Sequence, residues 1–217
     1  HILSALGNRP VTMATGPDSR FQPTVEMIEA LPEPVQGVIV ASPSNPAGTV
    51  IPEAELARLA SYCDDRDRRL VSDEIYHGIT YGAEAATAAA FSDRAIVINS
   101  FSKYFSMTGW RLGWMVVPED LLRPVESLAQ NIFISPPTLS QRAALAAFDC
   151  GEEIAANIAR YARNRELLLE ELPKAGFTAL APADGAFYIY ADVSHMTNDS
   201  QAFCQRMLDE TGVAATS

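Results

Sequence analysis

A serine, a lysine and an arginine share one short stretch of this 217-residue sequence. Ser100, Lys103 and Arg111 lie in "SFSKYFSMTGWRLG" (residues 100–113), directly after the hydrophobic run "AIVIN". A lysine at the mouth of a pocket beside a second cation loses its proton readily and acts as an amine nucleophile, for which Schiff-base chemistry is the natural use. The Ser100 hydroxyl and the Arg111 guanidinium together suit a phosphate, because the guanidinium fork matches phosphate oxygens. Upstream, Asp73 ends the run "RLVSD" and Tyr76 follows three positions later. A buried carboxylate requires a cationic partner. Asn45, in "SPSNPAGT" (42–49), offers an amide and Tyr76 a hydroxyl, and both can donate to one phenolate oxygen. Each residue also has a plain alternative: a surface lysine, a helix-capping aspartate, a core tyrosine, an Asn-Pro turn.

The runs that carry these residues alternate in period. "GVIVAS" (37–42) reads as a buried strand. "EAELARLASYCDDRDR" (53–68) places Leu56, Leu59, Ala60 and Cys63 on one helical stripe behind the helix opener Pro52. "RLVSDEIY" (69–76) is a short strand entering a polar cluster, "RAIVINSFSK" (94–103) repeats that design, and a further strand is expected over 112–117. Strand, helix, strand, connection, strand is the signature of a mostly parallel α/β sheet with flanking helices. Ligands bind beyond the carboxyl ends of such strands. The three polar loops at those ends are therefore expected to converge.

The second half differs. "EEIAANIARYARNRELLLEEL" (152–172) fits a long helix with Ile154, Ile158, Tyr161, Ala162, Leu168 and Leu169 on its apolar side. "FTAL" and "AFYIYADV" read as strands around the turn "APADG", and "SQAFCQRMLDET" as an amphipathic helix with Phe203, Met207 and Leu208 inward. This predicts a large domain over 1–149 and a smaller α+β domain over 150–217.

Composition narrows the function class. With 48% hydrophobic residues the chain can bury a core, and its net charge of −11 argues against a sequence-independent grip on nucleic acid or anionic lipid. Cys63, Cys150 and Cys204 form neither a CxxC pair nor a disulfide framework, which favours a reducing, cytoplasmic setting. No apolar run approaches the roughly 18–20 residues of a membrane span. The chain opens on His1 in mid-pattern and stops at Ser217 just as "GVAATS" begins a strand-like run, so both ends read as truncations.

Asn45, Asp73, Tyr76, Ser100, Lys103 and Arg111 jointly supply donors and charges for every polar atom of pyridoxal 5′-phosphate, whose protonated pyridine nitrogen is a suitable partner for Asp73. At this point the sequence resembles the fold-type I pyridoxal-phosphate enzymes, specifically the class I/II aminotransferases. "SNPAGT", "SDEIY" and "SFSKYFSMTGWRLGW" stand in the family's order, with 28 residues from Asn45 to Asp73 and 30 from Asp73 to Lys103. The likeness is strong over 37–114 and collinear elsewhere; "GAFYIYADV" (185–193) is similar to the family's segment that closes over the substrate.

The resemblance implies that Lys103 carries the cofactor through a Schiff base and shuttles a proton at the substrate α-carbon. It implies that Asp73 keeps the pyridine nitrogen protonated, that Tyr76 and Asn45 bond the ring oxygen, and that Ser100 and Arg111 hold the phosphate. Asn45 is also placed to contact the substrate carboxylate. An amino acid and a 2-oxo acid become the substrates of a ping-pong transamination, in a homodimer. The family's helix N-terminus for the phosphate, its ring-stacking aromatic, its carboxylate-binding arginine and a partner-subunit phosphate ligand are expected outside these residues. Two other readings share the motifs: a C–S lyase on the same fold, and an aminotransferase-like ligand-sensing domain of a transcription regulator. The enzyme-type Asn-Pro loop argues against the regulator. His77 is read as a surface group or one behind the site, His195 as carrying no motif, Trp110 and Trp114 as packing the strand that holds Arg111, and Cys63 as an inert core thiol.

Overall fold

The structure, a computed structural model, describes residues 2–217; the chain opening at His1 lies outside them. The elements up to the third strand are α1 (Ile2–Ala5), α2 (Val25–Glu29), β1 (Gly37–Ala41), α3 (Glu53–Asp65), β2 (Arg69–Asp73) and β3 (Ile96–Ser100). Then follow β4 (Gly113–Val116), α4 (Glu119–Ile132), α5 (Thr138–Ala147), α6 (Gly151–Lys174), β5 (Ala179–Leu180), β6 (Ala191–Asp192) and α7 (Ser200–Thr211).

The β-branched runs form one sheet in the order β1-β2-β3-β4. β1, β2 and β3 are parallel, with Ala41 beside Asp73 and Asp73 beside Ile98, whereas β4 returns antiparallel, pairing Gly113 with Ser100. The 12 residues between β3 and β4 hold a short 3-10 turn (Thr108–Trp110) and no helix that could cross over the sheet. Val38, Val40, Leu70, Ser72 and Val97 are buried, all on one face. Against that face lies the predicted stripe of α3, with Leu56, Leu59, Ala60 and Cys63 at most 1% exposed. Each buried leucine contributes about 1.5–3 kcal/mol through removal of its surface from water. The opposite face carries Ile39, Ile98 and Met115, at 55%, 36% and 50% exposure.

Strand β2 ends at Asp73, as expected: the Glu74 amide still bonds Ile98, but the His77 amide turns back to the Glu74 carbonyl. Three expectations are corrected. Residues 185–190 do not form a strand apart from a single bridge between Gly185 and Thr80; the Gly185 and Ala186 amides are taken up by Gly48 and Ile79 of the first half. Leu168 of α6 and Leu208 of α7 are 41% and 43% exposed, so neither belongs to a buried stripe; α6 buries only Ile154. Arg111 is not on a strand: it follows a 3-10 turn (Thr108–Trp110) with left-handed backbone, and β4 begins two residues later. Trp110 and Trp114 are both 41% exposed, and Trp114 meets Phe101 edge-on at 5.1 Å.

Candidate active site

The carboxyl ends of β1, β2 and β3 lie side by side, which brings the loops holding Asn45, Asp73 with Tyr76, and Ser100 with Lys103 to one edge of the sheet. Gln22, 4% exposed, braces the first loop: its amide donates to the Thr49 carbonyl at 2.8 Å and to the Ala41 carbonyl at 3.2 Å. The second loop is braced by Glu74, 2% exposed, which accepts from the Ala88 amide at 2.8 Å.

Asp73 is half-buried, and among the described residues its carboxylate accepts one hydrogen bond, from the Ile75 amide at 3.2 Å. The turn-capping alternative is therefore also realised. Burial raises its carboxyl above the ordinary value and neighbouring Glu74 adds to this; the Ile75 bond and, least, Lys103 act the other way. A carboxylate so placed is undersupplied with positive charge and suits a cationic partner.

Tyr76 is 2% exposed. Its hydroxyl lies 2.6 Å from that of Tyr188, and its ring meets Phe187 and Tyr188 edge-on at 5.5 and 5.7 Å. Burial first, then the Tyr188 bond, raise the Tyr76 hydroxyl far above the usual phenol range, with the Asn45 amide pulling the other way. Tyr76 is thus a neutral donor at any physiological pH. Lys103 is half-buried, with Nζ 5.4 Å from the Tyr76 ring centroid and 5.6 Å from that of Phe187.

The β3–β4 pairing sets Ser100 opposite Gly113, two residues after Arg111. Ser100 Oγ accepts from the Ser102 amide at 3.0 Å and donates to the Leu112 carbonyl at 3.3 Å; Arg111 is exposed and donates to the Thr108 carbonyl at 2.9 Å. The left-handed φ of 51° at Arg111 directs this residue out of the turn rather than along β4.

Phe187 and Tyr188 escaped individual notice in the sequence, although their segment did not. They sit on a strap, residues 183–188, that the fold pins firmly. The Gly185 amide donates to the Gly48 carbonyl at 2.8 Å, the Ala186 amide to Ile79 at 2.9 Å, and the Tyr81 amide to Asp184 at 2.7 Å. Asp184 accepts from Arg20 at 2.6 Å and from the Val50 amide at 3.1 Å, and Arg165 of α6 donates to the Ala183 carbonyl at 2.6 Å. Gly185 is required by space: a Cβ there would fall 2.6 Å from Pro43 Cγ and 2.8 Å from the Ile79 carbonyl.

His77 is not a surface group. Its Nδ1 lies 3.5 Å from Glu74, its Nε2 is buried without a partner among the described residues, and burial lowers its pKa despite the Glu74 charge. His195 lies away from the site, its Nε2 3.0 Å from the Gly176 carbonyl. Cys63 is 0% exposed and burial pushes its thiol up to about 11, as befits an inert core thiol. Neither of the two large cavities takes in Asp73, Tyr76 or Lys103. One, of about 730 Å³, lies against β1 and residues 8–15; the other, of about 560 Å³, is lined by His77, Phe101, Tyr104, Phe105, Trp114 and Phe148. Among the described residues no group of metal-ligating side chains is found, and no helix is long and apolar enough to cross a membrane.

The comparisons agree with this geometry. The family model for aminotransferase class I and II matches residues 1–217. The valine–pyruvate aminotransferase of Mycobacterium tuberculosis is 54% identical over 99% of this chain, and the aspartate/prephenate aminotransferase of Thermus thermophilus 35% identical over 96%. The chain spans 56% and 55% of those two relatives. Among solved structures, an aminotransferase from Mycobacterium tuberculosis superposes with a TM-score of 0.95 at 54% identity, covering 98% of this chain and 56% of that one. A putative aminotransferase from Silicibacter pomeroyi gives 0.94 at 54% identity, covering 99% and 58%. Motif order, a mostly parallel sheet closed by one antiparallel strand, and likeness over the whole length converge: the chain belongs to the class I and II aminotransferase family.

Proposed function

We propose that this chain forms the core of a pyridoxal-phosphate-dependent aminotransferase that moves an amino group between an amino acid and a 2-oxo acid by a ping-pong mechanism. The observation that carries the reading is the meeting of Lys103, Asp73 and Tyr76 at the carboxyl ends of adjacent strands, with Asp73 half-buried and short of positive charge. That donor set fits pyridoxal phosphate. Asp73 answers the pyridinium nitrogen, Tyr76 and Asn45 answer the ring oxygen, Ser100 and Arg111 answer the phosphate, and Lys103 supplies the amine for covalent attachment. When bound, the cofactor supplies an electron sink for the pair left on the amino acid's α-carbon.

The chain's own residues do the rest. Asp73 holds a proton on the ring nitrogen, and its raised affinity for positive charge gives that ion pair its strength. Tyr76 and Asn45 donate to the ring oxygen and orient the ring. With the cofactor bound, the Lys103 amine would take a proton from the substrate α-carbon and hold it for return.

The names borne by the relatives favour transamination over C–S cleavage, and the 54% identity to a valine–pyruvate aminotransferase makes valine with pyruvate the first pair to test. The same proposal includes a division at residues 149 and 150 into parts of a large and a small domain, a homodimer with sites near the subunit interface, and a cytoplasmic setting. The test is borohydride reduction of the protein loaded with pyridoxal phosphate, followed by peptide mapping. The label is expected on Lys103. A label on a different lysine, Lys174 of this sequence among them, or no label, refutes the assignment.

A further inference from the structure

We propose that Tyr188 is a positioning residue for Tyr76: from the far side of the site its hydroxyl fixes the direction in which the Tyr76 proton points. The inference rests on the reading of the Lys103 site given above.

Each phenol has one proton to give and lone pairs to accept with. The two oxygens are 2.6 Å apart, a short hydrogen bond in which either hydroxyl can be the donor. Tyr76 is 2% exposed. If its proton points at Tyr188, it has none left for the cofactor's ring oxygen. If Tyr188 donates instead, the Tyr76 oxygen is satisfied and its proton is free to point into the site. A hydroxyl that accepts a hydrogen bond while donating another is the stronger donor, because the two bonds polarise one another. Tyr188 thus sets both the direction and the strength of the bond that Tyr76 offers.

The strap makes this contact dependable. Tyr188 follows two residues whose amides are bonded to Gly48 and Ile79, and Arg165 and Asp184 tie the strap to α6 and to the loop after Asn45. Ring packing alone does not require the hydroxyl: phenylalanine at 188 would keep the edge-on contact at 5.7 Å and lose only the oxygen.

The test is Tyr188→Phe in the full-length protein loaded with pyridoxal phosphate, read as the pH midpoint of its visible absorbance. A weaker donor at the ring oxygen disfavours the anionic form there, so the midpoint should rise by about half to one pH unit, the scale of one neutral hydrogen bond. In a Tyr76→Phe background the same change should produce no further shift. An unmoved midpoint, or an equal shift in that background, overturns the inference while leaving the cofactor reading intact, provided that borohydride still labels Lys103. Failure of the unaltered protein to acquire the label overturns both.

Discussion

Replacing Gly185 by alanine sets a packing clash against a gain in chain stiffness, and the structure decides which prevails. A methyl at this position would meet Pro43 Cγ at 2.6 Å, the Ile79 carbonyl at 2.8 Å and Pro43 Cβ at 2.9 Å. A proline ring and a backbone carbonyl cannot swing aside, so the strap must lift. Overpacking of this kind costs about 1–3 kcal/mol. Lifting breaks the bonds from the Gly185 and Ala186 amides, a further ~1–3 kcal/mol in total at the usual net value of each. Alanine stiffens the unfolded chain and returns only about 0.4–1 kcal/mol. The net loss is about 3 kcal/mol, or a fall in melting temperature of roughly 6–12 °C for a chain of this size. Urea denaturation followed by tryptophan fluorescence measures it, with Gly109→Ala as control, since nothing lies within 4 Å of a Cβ there. If Gly185→Ala costs no more than this control, the strap is not pinned as described. The positions of Phe187 and Tyr188 then lose their support.

Asp73→Asn should lower turnover about hundred-fold, as expected for loss of a charge-assisted contact, yet stabilise the cofactor-free protein at pH 7. Burial raises the Asp73 carboxyl above 3.8, so the folded state binds its proton more tightly and stability falls as pH rises from 3.8 through the raised value; melting curves in which the variant is less stable at pH 7 contradict this. For His77 the sign is opposite: burial holds it below 6.5, so the unfolded chain takes up the proton first and stability is lost as pH falls from 6.5 through the lowered value. His77→Gln should flatten that acid-side loss in a pH series of urea melts. A thiol reagent should titrate the half-buried Cys150 and Cys204 in the native protein and reach Cys63 only after unfolding; three equivalents at once would refute the burial of Cys63.

What could be read from the sequence was what short-range pattern encodes. β1 and α3 were legible because burial of Val38 and Val40, and of Leu56, Leu59 and Cys63, follows periods of two and 3.6 that lie within one element. The meeting of the three loops was legible because parallel strands put all their carboxyl ends on one edge. Residues 185–190 failed for the complementary reason. Their alternation is strand-like, but the first two amides, of Gly185 and Ala186, are bonded to Gly48 and Ile79, more than a hundred residues away, and no local pattern reports such partners. For His77 the sequence left a surface position and one behind the site both open, because a polar residue in a polar cluster gives no hint that Glu74 beside it is itself buried and bonded to Ala88. Tyr188 is the sharpest case. It stands 112 residues from the tyrosine it touches, and spacing along the chain carries nothing about that contact. Its hydroxyl came into view only once the strap had carried it to Tyr76, so a candidate site read from motifs alone holds the residues of its own loops and omits those that reach it from distant parts of the chain.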